Sequence, residues 1–313
     1  MVKLLRLMLP ILLLLTASCT KFTAPERFEG DVYTLAGLLI AGEAIDLEHP
    51  IYITRSTTIE DFDPFALFVA NAEVTIKDLT DQTEWTLTPR PDLVEMKIKY
   101  IDAGLHVIQP EHRYRIEIQI PGYPQLITAE TTVPAQAQLV PDILQNNIPG
   151  EGYSFTPDTI TTMKYSEIDQ KYPLAMNTGS FSGACNLMLE MYCLEEFSTD
   201  ELEFAISVFG IEHPSAEMEE GYNASGASIR RIQSVGRYVS MPQEGLVGNY
   251  VVVKDYRYAF VFLGRYRVSL YIADDNYYRY NYMPEGYFYG GVQGALGYFG
   301  SATGGRMYTK IVR

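Results

Sequence analysis

The residue types that do catalytic or metal chemistry are few in this chain, and they are not spaced for it. None of the four histidines stands in an HExxH, HxH or CxxC…H pattern, the spacings typical of zinc and haem sites. The segment GSFSG at 179–183 has Phe181 at its centre, where a nucleophile elbow needs serine. The chain contains neither a Walker loop nor a GxGxxG motif. The sequence therefore predicts no catalytic residues, no metal ligands and no cofactor.

Paired acidic residues occur at three places, namely Glu195 with Glu196, Glu219 with Glu220, and Asp274 with Asp275. A glycosidase holds two carboxyl groups about 5 to 10 Å apart across a cleft, and adjacency in sequence does not create that arrangement. Solvated surface or a helix cap is therefore the favoured interpretation of these pairs. A hydrolase that uses dispersed carboxylates is the least favoured function, and we predict that the protein is not an enzyme.

Tyrosine is concentrated in the last part of the chain. Twelve of the 24 tyrosines fall between Tyr250 and Tyr298. Their amphipathic rings suit binding surfaces because they cost little conformational entropy, although core and sheet packing is the favoured role of most of them. The candidate binding surface is the densest cluster, which consists of Tyr277, Tyr278, Tyr280, Tyr282, Tyr287 and Tyr289.

The first cysteine follows an apolar segment near the N-terminus. Lys3 and Arg6 precede a nine-residue apolar run from Leu7 to Leu15, which only Pro10 interrupts, and small residues precede Cys19. This order of charge, apolar run and small residues is typical of a secretory signal peptide. The run is less than half of the about 20 residues that a membrane-spanning helix needs.

Residues 1–18 are therefore predicted to be a signal peptide, and the position of Cys19 directly after them resembles the lipobox of bacterial lipoproteins. In a lipobox the cysteine thiol receives a diacylglycerol and becomes the first residue of the mature protein. Two or three acyl chains make release from a bilayer negligible, because each buried methylene contributes about 0.8 kcal/mol. We expect Cys19 to be a lipid anchor and 19–30 to be its tether. The alternative is a cysteine that only ends a plain signal peptide.

The other two cysteines, Cys185 and Cys193, lie in the segment ACNLMLEMYC. If this segment is one strand, they share a face with Leu187, Leu189 and Met191, because side chains alternate between faces. Such a strand separates the two cysteines by about 26 Å, whereas a disulfide needs Cα atoms within about 7 Å. We predict two unbridged thiols on a buried face. A disulfide would require a turn between them.

Composition limits the class of protein and its partners. Of the 313 residues, 47% are hydrophobic, which is enough for a folded core. Aspartate and glutamate number 39 against 24 lysines and arginines, so the net charge is −15. Binding to a phosphate backbone needs clustered lysine and arginine. We therefore exclude nucleic acid as a partner.

Residues 31–135 alternate between short apolar runs and turn-forming residues, a pattern typical of β structure. The segment 73–89 is predicted to be a hairpin, and 112–122 a strand with Tyr114 and three isoleucines on one face. About seven short strands in roughly 100 residues predict an immunoglobulin-like β-sandwich. The polar, proline-containing segment 136–152 is predicted to be a linker.

Residues 153–313 are predicted to form a second mainly-β domain that is rich in tyrosine. Its best strand is GRYRVSLYIA at 264–273, and Asp274 or Asp275 is placed to cap a short helix through NYYRYNYM. The segment 196–210 fits either a short helix or a strand. The predicted fold class is therefore mainly β, with two domains and one or two short helices.

Three features in order along the chain resemble the Bacteroidota lipoproteins grouped as domain of unknown function 4249. They are the lipobox at Cys19, the sandwich ending in YPQLITAETTVP at 123–134, and YIADDNYYRY at 271–280 followed by GGVQGALGYFGS at 290–301. The resemblance covers most of the chain after Cys19, with 150–250 matching weakly. It implies an envelope lipoprotein whose gene often neighbours those of TonB-dependent outer-membrane receptors, and it supplies no catalytic residues.

These patterns lead to two functions of different classes. We expect a cell-envelope protein, anchored through Cys19 at the periplasmic or surface face of the outer membrane, that binds or assembles with a nutrient-uptake receptor there. The alternative is a glycan- or peptide-binding module that uses the tyrosines as a stacking platform. An exposed aromatic row in a groove favours the alternative, and complete burial of 277–289 excludes it.

Overall fold

Period-two alternation of apolar residues gives this chain a mainly-β fold. The computed structural model describes residues 32–57, 63, 65–140, 150–195, 216–222, 228–283 and 289–313. The strands are β1 (Tyr33–Ile40), β2 (Tyr52–Arg55), β3 (Glu73–Asp78), β4 (Thr83–Asp92), β5 (Lys97–Ile101), β6 (Arg113–Gln119), β7 (Ile127–Thr132), β8 (Gln138–Val140), β9 (Thr162–Lys164), β10 (Leu174–Asn177), β11 (Gly183–Cys193), β12 (Ala216–Tyr222), β13 (Ser228–Pro242), β14 (Asn249–Val253), β15 (Gly264–Ala273), β16 (Val292–Gln293) and β17 (Leu296–Val312). The α-helices of the described residues are α1 (Ile168–Lys171) and α2 (Asp275–Tyr282).

The strands form two sheets. One has six strands in the order β16-β7-β6-β3-β4-β5. The other has eleven: the path β2-β1-β17-β15-β11-β13-β14-β10-β8, with β12 beside β13 and β9 beside β17. Leu35 and Phe299 of the larger sheet share one buried cluster with Val74 and Ile116 of the smaller one, so the sheets pack over a common core. The predicted mainly-β class is confirmed, and this part of the fold is sandwich-like.

Two predictions of local β structure are confirmed. The hairpin at 73–89 is β3 and β4, which pair antiparallel with Val74 opposite Leu87. The strand within 112–122 is β6, where buried and more exposed side chains alternate from Tyr114 onward. Both follow from the sequence because successive side chains of a strand point to opposite faces.

Strands from either side of residues 136–152 pair with one another. β1 pairs in parallel with β17, with Leu35 opposite Gly297, and β16 pairs with β7. Tyr33–Arg313 form one compact unit. The sequence stretches 31–135 and 153–313 therefore both contribute strands to the larger sheet, and their limits as domains stay a prediction.

Part of the predicted linker is structured. Gln138–Val140 forms β8, which pairs with β10 at the edge of the larger sheet. Leu139 packs against the buried cluster of that sheet. An edge strand needs backbone pairing on one side only and one apolar contact, so the polar composition of the segment did not indicate it.

Two local predictions are confirmed in the larger sheet. Asp274 caps α2, because the backbone N–H of Tyr277 donates a hydrogen bond to Asp274 Oδ1 at 3.0 Å. Cys185 and Cys193 lie on one continuous strand, β11, and both are buried and unbridged. They belong to the main buried cluster of this sheet, and burial raises the pKa of the Cys185 thiol to about 11.

Several predicted features lie outside the described residues, namely the signal peptide at 1–18, the lipid anchor Cys19, the whole of its tether 19–30, and the undecided segment 196–210. Among the residues that are described, no helix combines the length and the apolar composition needed to cross a bilayer.

Candidate functional site

The predicted tyrosine cluster centres on α2, whose start is fixed to both sheets. Thr131 Oγ1 on β7 donates a hydrogen bond to Asp274 Oδ2 at 2.6 Å and lies 2.7 Å from Ser301 Oγ on β17. The backbone N–H of Asp274 donates to Ser301 O at 2.8 Å. Burial raises the pKa of the Asp274 carboxyl, although the hydrogen bonds from Thr131 and Tyr277 act to lower it. These bonds hold the first turn of the helix in one position.

Asn276, in the first turn of α2, also connects the helix to β7 and β17. Its Nδ2 donates to Glu130 O at 2.8 Å and to Phe299 O at 3.0 Å. Gly291 lies against it with a φ of 81°, and a Cβ at this glycine would come within 2.4 Å of Asn276 Nδ2. Glycine is therefore required at residue 291 for this backbone to approach the helix.

The predicted tyrosines occupy different environments. Tyr277 is the buried side chain of α2, and its ring centroid is 5.2 Å from that of Tyr298. Of the others, Tyr278, Tyr280 and Tyr282 are half-buried, Tyr289 is 57% exposed, and Tyr287 lies outside the described residues. Tyr278 contacts β13, whereas Tyr289 lines a cleft beside β7. The cluster therefore contributes to two separate surfaces.

The first surface, which we call the β13 face, consists of Tyr278, Tyr282, Arg237, Val239 and Met241. The centroids of the two tyrosine rings are 6.3 Å apart, and the guanidinium carbon of Arg237 lies 5.6 Å from the Tyr278 ring. Val239 and Met241 share a side of β13 with Arg237 because they follow it at a spacing of two. They are 53% and 48% exposed. Exposed apolar side chains therefore continue from the tyrosines along the strand.

Polar contacts and strand pairing hold the β13 face in place. Arg237 Nε donates to Asn186 Oδ1 at 3.4 Å, and Asn186 Nδ2 donates to Asp275 Oδ1 at 3.0 Å. β13 pairs with β11 from Arg230 to Ser240. The side chains of this face therefore stand on a rigid, preorganised support.

The second surface is a cavity of about 300 Å³, which we call the β7 cleft. Its polar lining residues are Arg115, Thr128, Glu130, Asn276, Tyr289 and Gln293. Thr128 and Glu130 lie on the outer face of the six-stranded sheet, because they alternate with buried residues of β7. Asn276 contributes from α2, and Tyr289 and Gln293 contribute from the segment that precedes β17.

Charges on the floor of the β7 cleft are paired. Arg115 Nη1 lies 3.6 Å from Glu130 Oε1, and Arg115 Nε lies 3.0 Å from Glu117 Oε1. Glu130 also pairs with Arg113, and Glu117 with Lys77. Cations and carboxylates thus largely neutralise one another, although the whole chain has a net charge of −15. Such a cleft suits an uncharged polar ligand better than an ion.

Sequence reasoning identified Tyr289 but not the other polar lining residues. Nothing in the sequence shows that Gln293 on β16 pairs opposite Thr128 on β7, since these positions are distant along the chain. The glycine-rich segment after residue 290 was the one available signal, because glycine permits close approach of backbone and neighbouring groups.

The described residues also contain a grouping of metal-ligating types, Asp78, Asp81 and His112, whose ligand atoms lie within 4.8 Å of one another. His112 Nδ1 is 2.7 Å from Asp78 Oδ2, and Asp78 Oδ1 accepts the backbone N–H groups of Thr80 and Asp81 at 2.9 and 3.1 Å. The hydrogen bond to Asp78 raises the pKa of His112. These bonds hold the turn between β3 and β4, and we assign the grouping this structural role.

No protein-family model matches the chain, and no curated protein matches it either. The function of the two surfaces is therefore inferred from their own chemistry.

Proposed function

We propose that this protein is a non-enzymatic lipoprotein of the cell envelope that binds to and assembles with a protein partner at the outer membrane. The pattern of residues 1–18 and the position of Cys19 support the anchor. The proposed partner is a TonB-dependent receptor for nutrient uptake, as the resemblance to the family of domain of unknown function 4249 implies.

One observation carries the proposal of a protein partner, namely the composition of the β13 face. Tyrosine, methionine and arginine are enriched in the cores of protein interfaces, and tyrosine and arginine are frequent among the residues that dominate binding energy. Val239 and Met241 are about half exposed although they are apolar. A partner that covers them gains about 25 cal/mol for each Å² of apolar surface removed from water.

The rigidity of the β13 face favours binding as well. An interface that is already ordered before association loses less side-chain and backbone entropy than a mobile one. Here the strand pairing with β11 and the stacking between Arg237 and Tyr278 are both present in the free protein. Association therefore carries little entropic cost for ordering this surface.

The anchor is tested by growing the producing cells with a palmitate analogue and detecting the label on the purified protein. We expect label on the wild type and none on Cys19→Ala, because acylation requires the thiol at that position. Cys185→Ala is the matched control, since it removes a buried cysteine and should keep the label. An unlabelled wild-type protein would contradict the proposed location.

The partner surface is tested by crosslinking in the native envelope, followed by purification and identification of the crosslinked proteins. The variant V239E/M241E places two charges on the β13 face and should reduce recovery of the partner by about tenfold. The control L105E/V107E changes two apolar residues at the same spacing, which are 63% and 49% exposed on the loop between β5 and β6. Recovery of a free monomer in every condition, or equal losses in the two variants, would refute this surface.

A further inference from the structure

The β7 cleft carries polar groups that the fold does not use. The side chains of Thr128, Gln293 and Tyr289 make no hydrogen bond to any other residue in the described part of the chain. A hydroxyl or amide that lines a cavity without a protein partner is available to a ligand or to water. Three such groups line this one cavity.

The positions of these groups are fixed by backbone pairing. Gln293 on β16 stands directly opposite Thr128 on β7 in antiparallel register, so their Cβ atoms are about 5 Å apart on the same face. Tyr289 lies four residues before Gln293, and its ring is 57% exposed. The cleft therefore combines an exposed aromatic ring with a pair of adjacent hydrogen-bonding side chains.

The same geometry argues against an extended peptide as the ligand. Peptides that bind sheets add a strand to a free edge, but β16 already pairs with Thr128 and Ala129 at the edge of β7. The carbonyl of Glu130, the next residue, accepts the hydrogen bond from Asn276. The backbone edge of β7 is thus occupied at these residues, so β7 offers side chains to a ligand in the cleft.

We propose that the β7 cleft binds a neutral saccharide. The C–H face of a sugar ring packs on Tyr289, and the sugar hydroxyls exchange hydrogen bonds with Thr128 and Gln293. The paired charges of Arg115 and Glu130 add donors and acceptors without favouring a charged ligand. The volume of about 300 Å³ lies at the lower end of ligand pockets, which suits a short part of a glycan. This site is distinct from the β13 face, so either proposal can fail without the other.

The test is isothermal titration calorimetry on the full lipidated chain in detergent, with maltohexaose, cellohexaose and xylohexaose as probes and a Ser-Gly hexapeptide as the comparison. We expect at least one of the three saccharides to bind. Tyr289→Ala and Gln293→Leu should each weaken that binding by about tenfold, whereas Tyr289→Phe, which keeps the ring, should stay within about threefold of wild type. Phe155→Ala removes a ring that is 54% exposed and belongs to neither surface, and it should leave the dissociation constant unchanged.

Thermal unfolding of each variant tests whether the fold is retained. We expect that the Tyr289 variants stay folded, because this residue is exposed. Three results would overturn the proposal: no saccharide binds up to about 5 mM, the hexapeptide binds and the saccharides do not, or Tyr289→Ala binds as tightly as the wild type. Loss of the crosslinked partner in V239E/M241E with saccharide binding intact would separate this site from the proposed assembly function.

Discussion

Two groups of tyrosines in the same part of the chain have different roles, one in the core and one at the surface. In the core of the larger sheet, Tyr256 is fully buried, its hydroxyl lies 2.7 Å from that of Tyr153, and it donates a hydrogen bond to the carbonyl of Tyr172. Around α2, by contrast, the hydroxyls of Tyr278 and Tyr289 make no hydrogen bond to any described residue. Tyrosine content alone therefore does not identify a binding surface. What matters is whether the polar tip of the ring is already used inside the protein.

Burial also changes the pKa values of the core tyrosines. Burial raises the pKa of Tyr256 far above its ordinary value of 10.0 and raises that of Tyr266 as well. Tyr266 donates a hydrogen bond to the carbonyl of Phe262 at 3.1 Å and accepts one from its N–H at 2.9 Å. Both hydroxyls stay protonated and serve as internal donors, so these tyrosines hold the core together and are not available to a ligand.

The largest expected effect is on the core tyrosines. Tyr256→Ala should lower the free energy of unfolding by about 3 to 5 kcal/mol, because it creates a cavity and removes the partners of Tyr153 and Tyr172. Tyr278→Ala should cost less than about 1 kcal/mol, since its ring is half-buried at the surface. Urea unfolding followed by circular dichroism measures both. Similar losses of unfolding free energy in the two variants would contradict the distinction between core and surface tyrosines.

A smaller effect is expected at Asp274, the residue that caps α2. Asp274→Ala removes the helix cap and the acceptor for Thr131 and should cost about 1 to 2 kcal/mol in unfolding free energy. Asp275→Ala, at the next residue, changes an exposed ion pair with Arg279 and should cost less. Equal losses at the two positions would show that the cap does not hold the helix.

The raised pKa of Asp274 also predicts how the stability of the folded protein changes with pH. Its pKa in the folded protein is raised above the ordinary value of 3.8, so folding favours the protonated carboxyl. The stability that comes from this shift is fully present below the unfolded pKa and is lost as pH rises through the raised folded pKa. Relative to Asp274→Asn, the wild type should therefore gain stability when the pH is lowered from about 7 to about 4. Unfolding curves at both pH values measure this, and a relative loss for the wild type would reverse the sign.

The smallest effect concerns the turn between β3 and β4. Because the hydrogen bond to Asp78 raises the pKa of His112 above 6.5, stability from this pair is present below pH 6.5 and is lost as pH rises through the raised value. An NMR titration of the His112 ring protons should give a pKa above 6.5. Asp78→Asn should bring it down, and a wild-type value below 6.5 would contradict the structural role of the pair.

Much of the local β structure could be predicted from particular residues. The hairpin of β3 and β4 followed from the alternation on each arm and from the turn-forming residues between them, whereas its register, with Val74 opposite Leu87, is known only from the structure. A cap at Asp274 or Asp275 followed from the acidic pair directly after a strand pattern, and the structure shows that Asp274 is the cap. The unbridged state of Cys185 and Cys193 followed from the length of an uninterrupted strand.

The pairings between distant strands could not be predicted in this way. β1 lies beside β17, and β16 covers the edge of β7, although each pair is far apart in the chain. Many strands of similar composition compete for such positions, and the closure entropy of long loops depends only weakly on their length. The polar lining of the β7 cleft was missed for this reason, since Thr128 and Gln293 meet only through one of these pairings.

By itself the sequence determined where strands alternate, where the short helix begins and which cysteine follows the signal-like segment, because these depend on backbone period and nearest neighbours. The packing of distant strands determines which tyrosines are buried in the core and which line the β13 face and the β7 cleft. The physical reason is that the exposure of a ring is set by whichever distant strand packs over it, and no local pattern specifies that strand.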